Sequence, residues 1–294
     1  MPYYIYKLIT QLVRPFIFLY ILRRVSKGKE DKIRISERYG ISNLERKDGK
    51  VIWFHATSIG ESLSILPLLK KLNSDKSIQQ IIITTGTLTS ANILKNKLTK
   101  KIIHQYIPFD IPVYVNKFLD YWKPSLSVFV ESEIWPNFLY ELKRRNIHSL
   151  IVNGRMTIKS YNRWSFFGQA SKGLFSNFVA CCTQNSDSTF FYKKLGIKNT
   201  IHTGNLKFAY QPGEIITDEL KKLKPFTRKR KIFLAASTHP GEEEMIKNIT
   251  LNLKKSIKNI LTIIVPRHVN RESFFSSSKG LGLSIRSKKQ NINN

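Results

Sequence analysis

A chain of 294 residues has room for one large or two ordinary domains with true cores. Lysine and arginine number 49 against 20 aspartate and glutamate, a formal charge of +29 that points to anionic partners: nucleic acid, phosphorylated ligands or an acidic membrane surface. Cys181 and Cys182 are adjacent and make no ordinary structural bridge, which fits a reducing compartment, and six dispersed histidines without metal-ligand spacing predict no metal site.

Residues 3–22 are apolar apart from Lys7, Thr10, Gln11 and Arg14. Lys7, Gln11 and Arg14 fall on one helical face, so the first half reads as amphipathic. Residues 16–22 are apolar all round, and Pro15 predicts a kink at the join. Arg23, Arg24, Lys27 and Lys29 follow, with no small-residue cleavage site. Residues 1–30 therefore read as an N-terminal membrane anchor helix, with the rest of the chain on the cytoplasmic side. A helix lying on the membrane and a marginal span both fit, and the plain alternative is a buried core helix.

After a charged connector at 31–40, strand and helix alternate. Strands are predicted at 51–55, 80–85, 102–107, 126–130, 148–152 and 179–183. Helices are predicted at 62–72, 90–98, 113–121, 136–146, 166–176 and 186–195. Regular alternation with short turns predicts an α/β domain over 31–209, Rossmann-like, with a parallel, doubly wound sheet. Residues 210–230 are turn-rich, then strongly basic, and read as a linker. The same grammar restarts over 231–294, with a strand at 232–236, a helix at 242–257 and a strand at 261–265. Two βα units before the polar tail at 284–294 predict a second Rossmann-like domain that is incomplete.

The stretch Val51–Glu61, VIWFHATSIGE, is strand, small-residue turn and helix start. That unit sets a polar group at the carboxyl edge of a parallel sheet, where α/β proteins hold ligands. The plain alternative is a βα turn whose Glu61 complements a helix N-terminus.

Several turns at strand ends have specific wording: His55-Ala56-Thr57-Ser58-Ile59-Gly60-Glu61, Thr84-Thr85-Gly86-Thr87, Pro108-Phe109-Asp110, Glu131-Ser132-Glu133-Ile134-Trp135-Pro136-Asn137 and Asn153-Gly154-Arg155-Met156. Thr203-Gly204-Asn205-Leu206-Lys207-Phe208, Ala236-Ser237-Thr238-His239 and Pro266-Arg267-His268 complete the series. In this order they resemble the 3-deoxy-D-manno-octulosonic acid (Kdo) transferases of lipid A biosynthesis, from the anchor to about Ser287. The resemblance implies GT-B architecture, two Rossmann-like domains facing across a cleft. The N-terminal one would take the lipid A precursor lipid IVA, and the C-terminal one CMP-Kdo, without a cofactor. Two departures stand out. Ala209 follows Phe208 where the family usually has an acidic residue, and the chain stops before the family's remaining nucleotide-binding turns. An inactive fragment that keeps acceptor and membrane binding is the alternative these imply.

Sugar transfer from a CMP donor needs a base for the acceptor proton, stabilisation of an oxocarbenium-like centre and neutralisation of the leaving phosphate. The resemblance assigns Glu61 as proton acceptor, with Glu131 and Lys207 as transition-state stabilisers. A helix N-terminus lowers a carboxylate's pKa, so desolvation has to offset the dipole at Glu61. The plain alternatives are a turn-capping Glu131 and a solvated Lys207. The resemblance places Pro266 and Arg267 on the CMP part of the donor, and a guanidinium there suits phosphate. Ser237 and Thr238 precede a helix that can present N–H groups to an anion. Arg155 and Arg163 flank a loop suited to the acceptor's phosphates. No Asp-x-Asp pair occurs, so metal-independent transfer is expected. Two rivals remain: a nucleic-acid-binding protein, supported by charge but by no binding signature, and an epimerase or other GT-B-like enzyme with a soluble acceptor.

Overall fold

Seven short runs rich in β-branched and aromatic residues build the sheet of the first unit. They are β1 (Val51–His55), β2 (Gln80–Thr85), β3 (Ile102–Tyr106), β4 (Leu126–Val130), β5 (His148–Gly154), β6 (Phe178–Thr183) and β7 (Thr200–His202). Every pairing is parallel, in the order β3-β2-β1-β4-β5-β6-β7. A computed structural model describes residues 2–95, 97–209 and 217–267. The chain divides into two units, Met1–Gln211 and Pro212–Asn294, each described by itself.

The helices of the first unit are α1 (Pro2–Ser26), α2 (Ile59–Ser64), α3 (Leu66–Asn73), α4 (Leu88–Lys95), α5 (Pro112–Trp122), α6 (Pro136–Arg144), α7 (Ile158–Ser165), α8 (Gln169–Phe175) and α9 (Ser186–Lys194). Strand residues alternate between two cores. Trp53, Phe129 and Ile151 meet Phe118, Phe138 and Phe175 of α5, α6 and α8. Ile52, Phe54 and Val128 meet Leu69 and Leu94 of α3 and α4. Burial on both faces is why β1 and β2 read as continuous apolar runs.

Three expectations change. The helix expected at 62–72 is two, α2 and α3, because Pro67 lacks an N–H and its ring blocks the carbonyl of Leu63. The helix expected at 166–176 is α8, which starts three residues later because the chain turns at 166–168, where Gly168 has φ +52°, and α7 ahead of that corner was not expected. Thr157 caps α7 by accepting from Ser160 N–H, a readable N-cap signal. Residues 217–227 of the expected linker form α10 (Thr217–Thr227), a stretch of Leu, Lys and Glu with good helix propensity.

Pro15 does not interrupt α1, because contacts on both sides of it hold the helix to the first unit. Tyr3 stacks on Tyr140 of α6. Tyr6 Oη donates to Asp110 Oδ2 at 2.9 Å, and Asn137 Nδ2 donates to Thr10 Oγ1 at 3.1 Å. Beyond Pro15, Ile17 and Ile21 bury against Ile111 and Tyr114, and Arg24 pairs with Glu30 at 2.6 Å. The opposite face of α1, including Leu8, Leu12, Phe16 and Leu19, is exposed.

In the second unit, β8 (Lys231–Thr238) and β9 (Ile260–Pro266) pair in parallel around α11 (Glu242–Ser256). His268 and the tail at 284–294 lie outside the described residues.

Candidate active site

The strand order reverses between β1 and β4, which pair directly while the chain leaves them toward opposite edges. Such a switch point opens a crevice beyond the carboxyl ends of the two strands, the place where open α/β sheets bind ligands. Glu61 follows β1 and Glu131 follows β4.

Ser58 caps α2, its Oγ accepting from Glu61 N–H at 3.3 Å. The same hydroxyl donates to Glu61 Oε1 at 2.6 Å, and Thr57 N–H donates to Oε2 at 2.8 Å. The carboxyl is thus folded back over its own turn, and Glu61 is 8 % exposed. Its pKa stands above the ordinary value. Burial is the largest cause, with Glu133 and Glu131 adding repulsion, against the opposing bonds from Ser58 and Thr57. Desolvation therefore outweighs the capping geometry at this helix start. Gly86 of the adjoining turn is needed here, since a Cβ on it would lie 2.9 Å from Thr57 Cγ2.

Glu131 sits at φ +59°, a left-handed conformation that costs a non-glycine residue about 1–3 kcal/mol and concentrates at functional sites. Its Oε1 lies 2.9 Å from Lys207 Nζ. The contact is an ion pair out of line for a hydrogen bond, so Glu131 is no turn cap and Lys207 no free surface lysine. The lysine also runs past Gly60, so its ammonium stands between the α2 start and the end of β4. Asn153, at the end of β5, anchors the lysine's turn: its Oδ1 accepts from Leu206 N–H at 2.9 Å.

Sequence reasoning assigned no role to His55, Glu133, Trp135 or Asn153. His55 is fully buried, sharing hydrogen bonds with Thr84 Oγ1 at 3.0 Å and Thr57 Oγ1 at 3.1 Å. Glu133 Oε2 lies 3.6 Å from His55 Nε2 and accepts from Trp135 Nε1 at 2.9 Å. Burial pushes the Glu133 carboxyl up, but its attraction to His55, with Trp135 and Thr57, outweighs this and holds it below the usual range. The signal was present in the chain: both carboxylates of Glu131-Ser132-Glu133 follow one strand end. Beside this network a cavity of about 190 Å³ is walled by Tyr20 and Arg24 of α1, Phe109, Thr57 and Trp135.

The remaining expected residues fall in two places. Arg155 and Arg163 are exposed on the segment after β5. In the second unit β8–β9 pairing sets Thr238 opposite Pro266, and Arg267 N–H donates to Thr238 O at 3.0 Å. Ser237 has φ +63°, and the Thr238 hydroxyl donates to Glu243 at 2.8 Å. Ser237, Thr238, Pro266 and Arg267 thus form one turn cluster. Among the described residues, no group of three His, Cys, Asp or Glu is placed to hold a metal ion.

Solved structures share this fold. The UDP-GlcNAc 2-epimerase of Neisseria meningitidis aligns with a TM-score of 0.53 at 17 % identity, covering 75 % of this chain and 66 % of that one. A putative UDP-N-acetylglucosamine 2-epimerase from Listeria monocytogenes aligns with 0.54 at 12 %, covering 76 % and 63 %. The chain is an α/β protein of Rossmann-like GT-B architecture.

Its sequence is more specific. The model of the 3-deoxy-D-manno-octulosonic-acid transferase (kdotransferase) family matches residues 33–210. The Rickettsia bellii 3-deoxy-D-manno-octulosonic acid transferase is 35 % identical, over 98 % of this chain and 69 % of its own. A probable mitochondrial Kdo transferase of Arabidopsis thaliana is 32 % identical, over 90 % and 61 %, and the Haemophilus influenzae enzyme 29 %, over 91 % and 64 %. The chain belongs to the Kdo transferase family, whose members are glycosyltransferases.

Proposed function

We propose that this protein transfers Kdo from CMP-Kdo to the lipid A precursor lipid IVA, with inversion and without a metal, in lipopolysaccharide core synthesis. The observation that carries the reading is the placement of Glu61 and the Glu131–Lys207 ion pair on the two sides of one topological switch point. Glu61 is the proton acceptor, and its raised pKa suits a base that works near neutral pH. As the acceptor oxygen bonds to the anomeric carbon, its proton passes to the Glu61 carboxylate. The bond from that carbon to the CMP phosphate oxygen breaks, and CMP leaves with the electron pair. Glu131 favours positive charge developing on the sugar, and Lys207 offsets negative charge on the departing CMP.

Residues 31–209 take the acceptor, with Arg155 and Arg163 toward its phosphates, and residues 231–294 take the donor. Arg267, with Pro266, Ser237 and Thr238, grips the donor phosphate. The helix α1 lies on the cytoplasmic surface of the inner membrane. It is long and apolar enough to span, but spanning would break its contacts with the first unit from Tyr3 to Arg24. Lying in the interface keeps those contacts and buries the exposed apolar face. The basic residues near it add roughly 1 kcal/mol each against an anionic leaflet. The cavity between α1 and Thr57 then lies on the acceptor's way from membrane to base.

The test is transfer of labelled Kdo from CMP-Kdo to lipid IVA by the full chain and by Glu61→Gln. Loss of the base is expected to lower the rate about 10²–10⁴-fold. Equal rates would remove Glu61 from the mechanism, and no transfer by the unmodified chain would leave acceptor and membrane binding as its activity.

A further inference from the structure

The corner between α7 and α8 carries two adjacent aromatic rings that none of the first unit's described residues covers. Phe166 is 87 % exposed and Phe167 52 %, and their rings meet edge-on at 5.6 Å. The corner itself is firmly built. Trp164 packs against Phe175, Ser171 Oγ donates to Trp164 O at 2.6 Å and to Gly168 O at 3.0 Å, and Gly168 takes the positive φ that turns the chain. A rigid corner holding two phenylalanines out in water invites a partner.

Charge and size identify that partner. Lys159, Arg163 and Lys172 are exposed around the corner, and no acidic residue lies between Glu141 and Asp187. Two aromatic rings offer at most roughly 300–500 Å², below the ~800 Å² per partner of a standard protein interface. An aromatic wedge ringed by cations instead matches the boundary of an anionic bilayer, where aromatic rings sit at headgroup depth and lysine and arginine meet the headgroups. Helix α6 packs beside both α8, which follows the corner, and α1, which carries the large exposed apolar face.

We infer that Phe166 and Phe167 form a second membrane-docking element, which inserts into an anionic bilayer while α1 lies on it. The inference rests on the reading of α1 as an interfacial helix. Two attachment points fix the domain's tilt, where one helix would let it roll about its axis.

The experiment is co-sedimentation of the full chain with vesicles of phosphatidylethanolamine and phosphatidylglycerol that contain no lipid A precursor. Phe166→Ser/Phe167→Ser is expected to weaken vesicle binding at least ten-fold, about 1.4 kcal/mol, with unchanged thermal unfolding because neither ring packs in a core. Lys159→Glu/Arg163→Glu is expected to weaken binding and flatten its dependence on salt. Vesicle binding by the double phenylalanine variant equal to that of the unmodified chain would overturn the inference while leaving α1 its role. So would unchanged vesicle binding with a raised KM for lipid IVA in detergent, which would make the rings an acceptor contact. If the unmodified chain fails to bind vesicles, the reading of α1 falls with it.

Discussion

Ser58→Ala separates the cap of α2 from the proton affinity of the proposed base. The hydroxyl accepts from Glu61 N–H and donates to Glu61 Oε1, so its loss acts twice. Losing the N-cap costs about 1 kcal/mol of stability. Losing a bond of 2.6 Å to a carboxylate removes about 1.5–3 kcal/mol of preference for the ionised form. That makes ionisation of Glu61 roughly 10- to 100-fold less favourable. The burial and the repulsion from Glu133 and Glu131 that already raise its pKa remain in place. A base must be ionised to act, so activity rises with pH through the Glu61 pKa, and the variant's acidic limb moves to higher pH. The assay is kcat/KM for Kdo transfer against pH for both chains, beside urea unfolding. An acidic limb that stays in place, or moves to lower pH, would refute the argument even if stability dropped as expected.

Lys207→Ala is expected to lower kcat sharply while changing stability by only about 0.2–1 kcal/mol, since the lysine is half-exposed; equal losses in both would make the pair structural. Gly86→Ala pushes a Cβ against Thr57 Cγ2, and overpacking there is expected to cost about 1–3 kcal/mol and disturb the N–H that holds Glu61. Unchanged unfolding and transfer would show that this turn has slack. Asp110 is buried, which pushes its pKa up to about 6 against the bonds from Asn137, Tyr6 and Phe138. The folded state therefore binds this proton more tightly than the unfolded chain, and its stabilising share is full below about pH 4 and lost as pH rises through about 6. Tyr6→Phe removes an opposing bond, so thermal unfolding followed against pH is expected to show that loss continuing to higher pH, with about 1–3 kcal/mol less stability at neutral pH.

Much of this fold was legible because the sheet is buried on both faces. Runs such as QIIITT and LSVFV have no other stable use, and their ends came out to within a residue or two. The strand Thr200–His202 was missed because it is three residues long and largely exposed, so it carries no apolar run. The α2–α3 break was missed because apolar spacing continues across Pro67, and periodicity does not register the backbone that a proline imposes. Helix α7 was missed because Ile158–Ser165 is short and buries none of its residues, so it carries no apolar run. The turns placed Glu61 and Glu131 at strand ends, and only the family resemblance set Lys207 beside them. Their mutual arrangement was not legible, since Lys207 reaches Glu131 through a turn that Asn153 fixes across 53 residues of sequence. No local pattern contains that hydrogen bond.

The distribution of charge explains how a strongly basic chain can hold a carboxylate with a raised proton affinity, as the proposed base requires. The net charge of +29 would lower every carboxyl pKa if it acted at the site. It is screened in solvent over about 8–10 Å. At the switch point Glu61, Glu131 and Glu133 stand close enough for the last two to raise the first, and their partners divide them. Lys207 engages Glu131, and His55 with Trp135 engages Glu133. Among the described residues, Glu61 is left with two neutral donors, Ser58 and Thr57, and no ion pair. Burial, with repulsion from Glu133 and Glu131 and no ion pair to oppose it, raises the proton affinity of Glu61, the residue after β1 that the proposed mechanism sets against the acceptor hydroxyl.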